Sequence, residues 1–271
     1  MRDPREFGTD GYPLRASGLP SLVICPMRHF LTFQGLLADP GNAAAEVGSL
    51  VHEIVAGWHR NGFDEDAAVA AVGDWRQRFP LVAAAGRYGD ALAHARGYCA
   101  DPRNKVRPVL IEQPVSLALP PHETDPTGRM VVIQGTLDQV RETPAGLRLF
   151  DVKTGRTEGA QMMDAYAYQV AAYCVMATEL LGEPVAPGAL IRTAGYLVKD
   201  SAPAEEPPGV FFHLPWTLAD CRDLLDAVRL VVASVRRGEV TFGPGPHCGS
   251  TCPARGLQAC LSSWHTVQNE T

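Results

Sequence analysis

Two short strands joined by a tight turn constrain this chain more than any other segment. Residues 131–140 carry a strand pattern, Thr143-Pro-Ala-Gly146 reads as a turn, and 147–153 reads as the returning strand. A turn centred on Pro144 and Ala145 sets Asp138 directly across from Asp151, and side-chain alternation puts Lys153 on the same face as Asp151. Carboxylates opposed in this way have Cβ atoms only about 5 Å apart and repel each other. A divalent cation between them removes the conflict, and a lysine beside such a cation makes a hydrolytic site. Taken alone, Asp-x-Lys is too common to be diagnostic, and a surface hairpin with ordinary exposed acids and lysine is the simpler account of it.

The flanking segments predict what surrounds the hairpin. The chain is loop-like up to Leu19, where Ser21 is placed to cap a short helix. Val47, Leu50, Val51, Ile54, Val55 and Trp58 fall at helical spacing and form one apolar face, and two more helices are expected over 65–79 and 83–99. Strands follow over 109–119, 131–141 and 147–153. A long helix covers 160–181, with Gly182 placed to end it. Strands at 189–198 and 210–214 flank a Pro-rich loop, an amphipathic helix covers 217–237, and 242–260 is loop-rich. This order predicts an α/β fold with an N-terminal helical insertion. At 271 residues it fits one domain, divided into a helical part (19–104), a core (105–240) and a C-terminal tail (241–271).

Composition narrows the function classes. With 46% apolar residues and no apolar run long enough for a bilayer, no membrane association is expected; the N-terminus lacks a signal-peptide core, which predicts a cytoplasmic protein. GxxxxGK(S/T) and GxGxxG are both absent, which argues against a built-in ATP or nicotinamide site. The net charge of −6 gives no support to nucleic-acid binding, which would need a local basic groove.

Further constellations add to the hairpin. Mg²⁺ and Mn²⁺ favour oxygen ligands and often take one or two carboxylates, so Asp138 and Asp151 suit either ion, with Lys153 able to orient water or offset charge. Gln169 and Tyr173, at i and i+4, share a helix face with Tyr166. The tyrosines alone read as core, but a buried amide among them needs partners. Gly48 lies one turn before His52 and leaves room beside the imidazole; standing alone, His52 reads better as a hydrogen-bonded helix histidine than as a ligand. Of seven cysteines, Cys99, Cys174 and Cys221 read as buried small thiols. Cys248, Cys252 and Cys260 cluster in a polar loop, with Cys25 a plausible fourth; four thiolates can hold a 4Fe–4S cluster or a tetrahedral Zn²⁺, and the sequence favours neither.

In this order, Cys25-Pro-Met-Arg-His-Phe, Gly48-x-x-x-His52, Gly135-Thr-Leu-Asp138, Asp151-Val-Lys153-Thr-Gly155, Gln169-x-x-x-Tyr173 and the closing cysteine trio resemble the RecB-like branch of the PD-(D/E)XK nuclease superfamily, and within it the CRISPR-associated iron–sulfur exonucleases. The resemblance implies a restriction-endonuclease-like core, a mixed central sheet flanked by helices, with a cysteine-cluster tail. It implies that His52, Asp138, Asp151 and the Val152 carbonyl ligate Mn²⁺ or Mg²⁺, and that Lys153 is catalytic. Gln169 and Tyr173 would support the active site and DNA contact, and Cys25, Cys248, Cys252 and Cys260 would bind the cluster. The expected activity is exonucleolytic cleavage of DNA, single-stranded by preference, alongside repair, replication or CRISPR-adaptation proteins. A non-catalytic DNA-binding or interaction module of the same fold is the alternative. The C-x3-C-x7-C spacing is looser than the family's, and Glu112 is an attractive further acid that matches no motif position.

Overall fold

The computed structural model describes residues 2–37, 41–155, 160–197 and 210–240, with 160–165 described as backbone only. Its centre is a mixed six-stranded sheet flanked by helices, as the sequence predicts. The strands are β1 (Leu14–Arg15), β2 (Leu110–Leu119), β3 (Val131–Thr143), β4 (Gly146–Lys153), β5 (Val185–Arg192) and β6 (Phe211–His213).

The β3–β4 hairpin closes with Thr143 across from Gly146 and pairs as far as Gln139 with Phe150. That register, continued by one pair, is the one that sets Asp138 across from Asp151. Strand β2 lies antiparallel along the opposite edge of β3, from Leu110↔Val140 to Leu119↔Val131. The edge that β4 occupies at 139–143 is taken up by β1 at Ile133 and Gln134, in parallel. Between these contacts, beside Gly135 to Asp138, that edge of β3 forks. The alternation of side chains also slips there: Leu137 and Val140, three residues apart, belong to the same core.

Two cores cover the two faces. One packs β3 and β4 residues such as Ile133, Leu137 and Leu149 against α1 (Leu19–Ile24), α8 (Ala160–Leu181) and α9 (Leu218–Arg236). The other packs Val152, Ile191 and Val210 against α3 (Ala43–Arg60), α4 (Glu65–Ala71), α6 (Pro80–Ala84) and α7 (Tyr88–Ala100). Local chemistry sets the helix ends. The Asn42 side chain accepts from Ala45 N at 2.9 Å to start α3, Thr217 and Asp220 form a capping box on α9, and Gly182, at φ +70°, ends α8.

Several boundaries differ from the sequence expectation. The helix expected over 65–79 is broken by Gly73, at φ +66°, into α4 and α5 (Trp75–Arg78), and Pro80 opens α6. Gly86, at φ +63°, then delays α7 to Tyr88. The strand expected over 189–198 is β5, shifted towards the N-terminus, because residues Thr193–Leu197 coil into a 3₁₀ turn. Strand β1 is too short to read from periodicity. Ser21 does not cap α1: Gly18 stands at that position, and Ser21 lies inside the helix with its hydroxyl donating to Gly18 O. Cys174 and Cys221 are buried as expected, whereas Cys99 is only half-buried.

Candidate active site

The same pairing register that aligns the hairpin continues across the sheet. Ile111 pairs with Gln139 and Gln113 with Leu137, so Glu112 on β2 falls opposite Asp138, and Asp138 falls opposite Asp151 on β4. Three carboxylates therefore form one row across three adjacent strands. Glu112 sits at φ +44°, an uncommon conformation for a residue with a side chain and one that concentrates at functional sites.

Helix α3 brings His52 to this row. Its Nδ1 lies 3.0 Å from Glu112 Oε1 and 3.3 Å from Asp138 Oδ1. One ligand atom from each of His52, Glu112 and Asp138 lies within 4.8 Å of the others. Gly48, one turn earlier, faces Thr154, where a Cβ would come within ordinary contact distance, 3.4 Å, of Thr154 Oγ1. The second oxygen of Asp138 accepts from Val152 N–H at 2.6 Å, which fixes the carboxylate against β4.

Asp151 is 1% exposed, and neither of its oxygens accepts a hydrogen bond. Lys153 Nζ forms an ion pair with its Oδ2 at 2.6 Å. Lys153 is itself positioned from α8. Its ammonium donates to Gln169 Oε1 at 3.4 Å and stands 4.6 Å from the centre of the Tyr166 ring. From below, Thr193 Oγ1 donates to the Lys153 carbonyl at 3.3 Å and lies 2.8 Å from His94 Nδ1. Tyr173 reaches under the fork: a Cβ on Gly135 would fall 2.7 Å from its ring, so only glycine fits at that place.

The charges respond to one another. Burial raises Asp151, the Lys153 ammonium opposes that and Asp138 reinforces it, leaving Asp151 at about 6. Burial would also raise Asp138, but His52, Lys153 and the Val152 N–H together hold it below the usual carboxylate range. Burial alone would lower His52; Asp138 and Glu112 outweigh it and raise the imidazole well above its ordinary value. For Lys153, burial is outweighed by Asp151 and Asp138, which raise it. Burial pushes Tyr173 up to about 12, so its phenol keeps its proton.

A cleft of about 900 Å³ opens over these groups, walled by Gly48, His52, Glu112, Asp138, Lys153 and Gln169. The donor set fits a hard divalent cation: carboxylate oxygens of Glu112 and Asp138 converge with the His52 imidazole. The structure thus lines one cleft with His52, Asp138, Val152, Lys153, Gln169 and Tyr173, while Asp151 is buried beside Lys153 and is not part of the lining. Within the group that meets inside 4.8 Å, Glu112 stands where Asp151 was expected, and Asp151 turns to Lys153 instead. Glu112 matched no motif; its signal was the strand register, which only pairing reveals. Thr193 and His94 left no sequence signal. Cys25 is a buried free thiol at the junction of α1 and α2 (Pro26–Phe33), and Cys248, Cys252 and Cys260 lie outside the described residues. Among the described residues, no helix is long and apolar enough to cross a membrane.

A family model described as the PD-(D/E)XK nuclease superfamily matches residues 14–257. Among curated proteins, none matches the chain.

Proposed function

The chain belongs to the PD-(D/E)XK nuclease superfamily, whose members hydrolyse phosphodiesters with divalent metals, and we propose that this one is an exonuclease acting on single-stranded DNA. The observation that carries the chemistry is the row of Glu112, Asp138 and Asp151, with His52 at one end and Lys153 at the other. In this reading Asp138, Asp151, His52 and the Val152 carbonyl hold Mn²⁺ or Mg²⁺, and Glu112 is a further ligand. When bound, the cation supplies Lewis acidity: it lowers the pKa of water and neutralises charge on the phosphodiester.

The chain's own residues do the rest. Lys153 keeps its proton beside two acids, so it serves as a fixed positive charge facing the attacked phosphate and orients the incoming water. Gln169 and Tyr166 restrict the lysine to the cleft, which reduces the reorganisation needed at reaction. Asp138, anchored on Val152 N–H, presents its free oxygen in a fixed direction. Tyr173, packed on Gly135, closes the floor.

The exonuclease and single-strand assignments, and a place in DNA repair, recombination or CRISPR-type DNA processing, rest on the motif set of the RecB-like branch. So does a 4Fe–4S cluster on Cys25, Cys248, Cys252 and Cys260, with Zn²⁺ as the alternative.

The deciding assay uses the full chain with Mn²⁺ and end-labelled linear or circular single-stranded DNA. Linear DNA should be degraded and circular DNA spared, and Lys153→Ala should lower the rate by about 10²-fold or more. Cleavage of circles would replace exonuclease by endonuclease, and an unchanged rate in the variant would remove Lys153 from the mechanism. Anaerobically purified protein should be brown, with broad absorbance near about 400 nm. A colourless, zinc-loaded protein would decide against the cluster.

A further inference from the structure

A second concavity adjoins the acid row and has the opposite electrostatic character. It measures about 1090 Å³ and shares Ser17, Ser49, Thr136 and Tyr173 with the cleft over the acids, so the two are continuous. The chain carries 30 acidic and 24 basic residues, yet among the described residues lining this concavity there is no Asp or Glu. Its charged walls are Arg15, at the end of β1, and Arg28, on α2.

Nine arginines elsewhere hold a carboxylate, whereas Arg15 and Arg28 form no ion pair among the described residues. His29 adds no charge: burial pushes it down to about 4, and its Nε2 lies 2.7 Å from Ser21 Oγ. Ser17, Thr32, Ser49 and Gln134 add neutral hydrogen-bonding groups to the walls.

We propose that this concavity holds the sugar–phosphate backbone of an unpaired strand beside the scissile bond, with Arg15 and Arg28 as its phosphate contacts. The nature of the ligand rests on the nuclease reading; the position rests on the shape and charge of the walls. Two unpaired guanidinium groups with neutral donors between them, and no acid to repel a phosphate, match a polyanion better than any neutral or cationic ligand. The choice of a single strand over a duplex rests on the nuclease reading, and the duplex arm of the test below decides it; an open, neutral-walled groove with guanidinium contacts suits a flexible strand that can follow it. Continuity with the acid row leads the strand directly to the metal ligands. This is the local basic groove that the net charge of −6 conceals.

The test reads binding without hydrolysis, as fluorescence anisotropy of labelled oligothymidylate with the full chain in Ca²⁺ across a salt series. The Arg15→Ala/Arg28→Ala double variant should bind at least about tenfold more weakly, and its log–log salt slope should be shallower by about 1.4, the value for two lost phosphate contacts on a single strand. Arg28→Lys should retain most of the slope, which separates charge from packing on α2. A blunt duplex of the same length should bind more weakly than the single strand to the wild type. Unchanged affinity and slope in the double variant, or no binding by the wild type, would overturn the proposal. If the oligonucleotide binds as expected but Mn²⁺-dependent cleavage is absent, the nuclease reading fails while the binding site stands.

Discussion

Asp138 and Gln139 are neighbours on β3, yet they belong to two buried polar clusters of different kinds. Gln139 faces α7. There Tyr98 Oη receives Gln139 Nε2 and one Arg141 guanidinium nitrogen, each at 2.8 Å, and lies 2.9 Å from His59 Nε2. The same Arg141 nitrogen also donates to Gln139 Oε1 at 2.7 Å and to Asn104 Oδ1 at 3.2 Å, and Asn104 donates back to the Tyr98 carbonyl at 3.0 Å. Nearly every donor in this cluster has an acceptor, His59 Nδ1 being the exception. Asp138 belongs to the other cluster, where three carboxylates share one lysine and one imidazole, and Asp151 accepts no hydrogen bond. A polar network completed from within rigidifies a fold. One left incomplete is costly unless something from outside completes it. The contrast separates scaffold from site using burial and pairing alone.

The largest effect should come from removing an incomplete group. Asp151→Asn keeps the shape and relieves the repulsion from Asp138, while Lys153, losing its ion pair with Asp151, keeps the nearby Asp138 charge and its hydrogen bond to Gln169. Mn²⁺-dependent DNA hydrolysis should fall by about 10³-fold, or about 4 kcal/mol, while the melting temperature stays level or rises. A clear loss of stability would mean that Asp151 belongs to the scaffold.

Metal should act on one cluster only. At about 100 times its Kd, Mn²⁺ should stabilise the wild type by about 2.7 kcal/mol in thermal melts. Asp138→Asn should abolish this shift, and Tyr98→Phe should leave it intact. Equal shifts in both variants would dissolve the distinction.

Breaking the complete cluster should have the converse outcome. Tyr98→Phe strips the shared hydroxyl and leaves buried donors unpaired, for a loss of about 1–3 kcal/mol in denaturant unfolding. The specific activity of the folded fraction should change by less than about threefold. A large fall in activity at unchanged stability would assign Tyr98 to the site.

The smallest effect concerns pH. Burial holds His59 neutral, with its pKa near 4 in place of 6.5. The unfolded chain therefore binds the extra proton first as pH falls, so stability is present above about 6.5 and is lost progressively towards 4. Between about pH 7 and 5.5 the wild type should lose roughly 1 kcal/mol more than His59→Gln does. Parallel curves would mean that the imidazole is not held neutral by the fold.

Much of this architecture was legible where local pattern governs. The hairpin register followed from its turn residues, and the apolar face of α3 and the Gly182 stop on α8 followed from helical spacing. Gly135 and Gly48 stand out as motif glycines, but the reason for Gly135 is steric and distant, since Tyr173 lies over it. Glu112 stands out in the sequence only as an attractive further acid without a motif position, because its role depends on pairing with a strand met later in the chain. Gly73 and Gly86 were passed over as ordinary helix residues, although positive φ breaks the helix at both.

The sequence by itself determined the hairpin, its facing aspartates and the lysine two residues on, because period-two alternation and turn chemistry act within a few residues. It also posed the task of reconciling them, since like charges across a ladder repel. Only the tertiary structure decided which groups share that task. Bringing Glu112 and His52 to Asp138, and Arg15 and Arg28 to the adjoining concavity, depends on contacts between segments far apart in the chain. Those contacts follow from the packing of two cores on a twisted sheet, which no local pattern encodes.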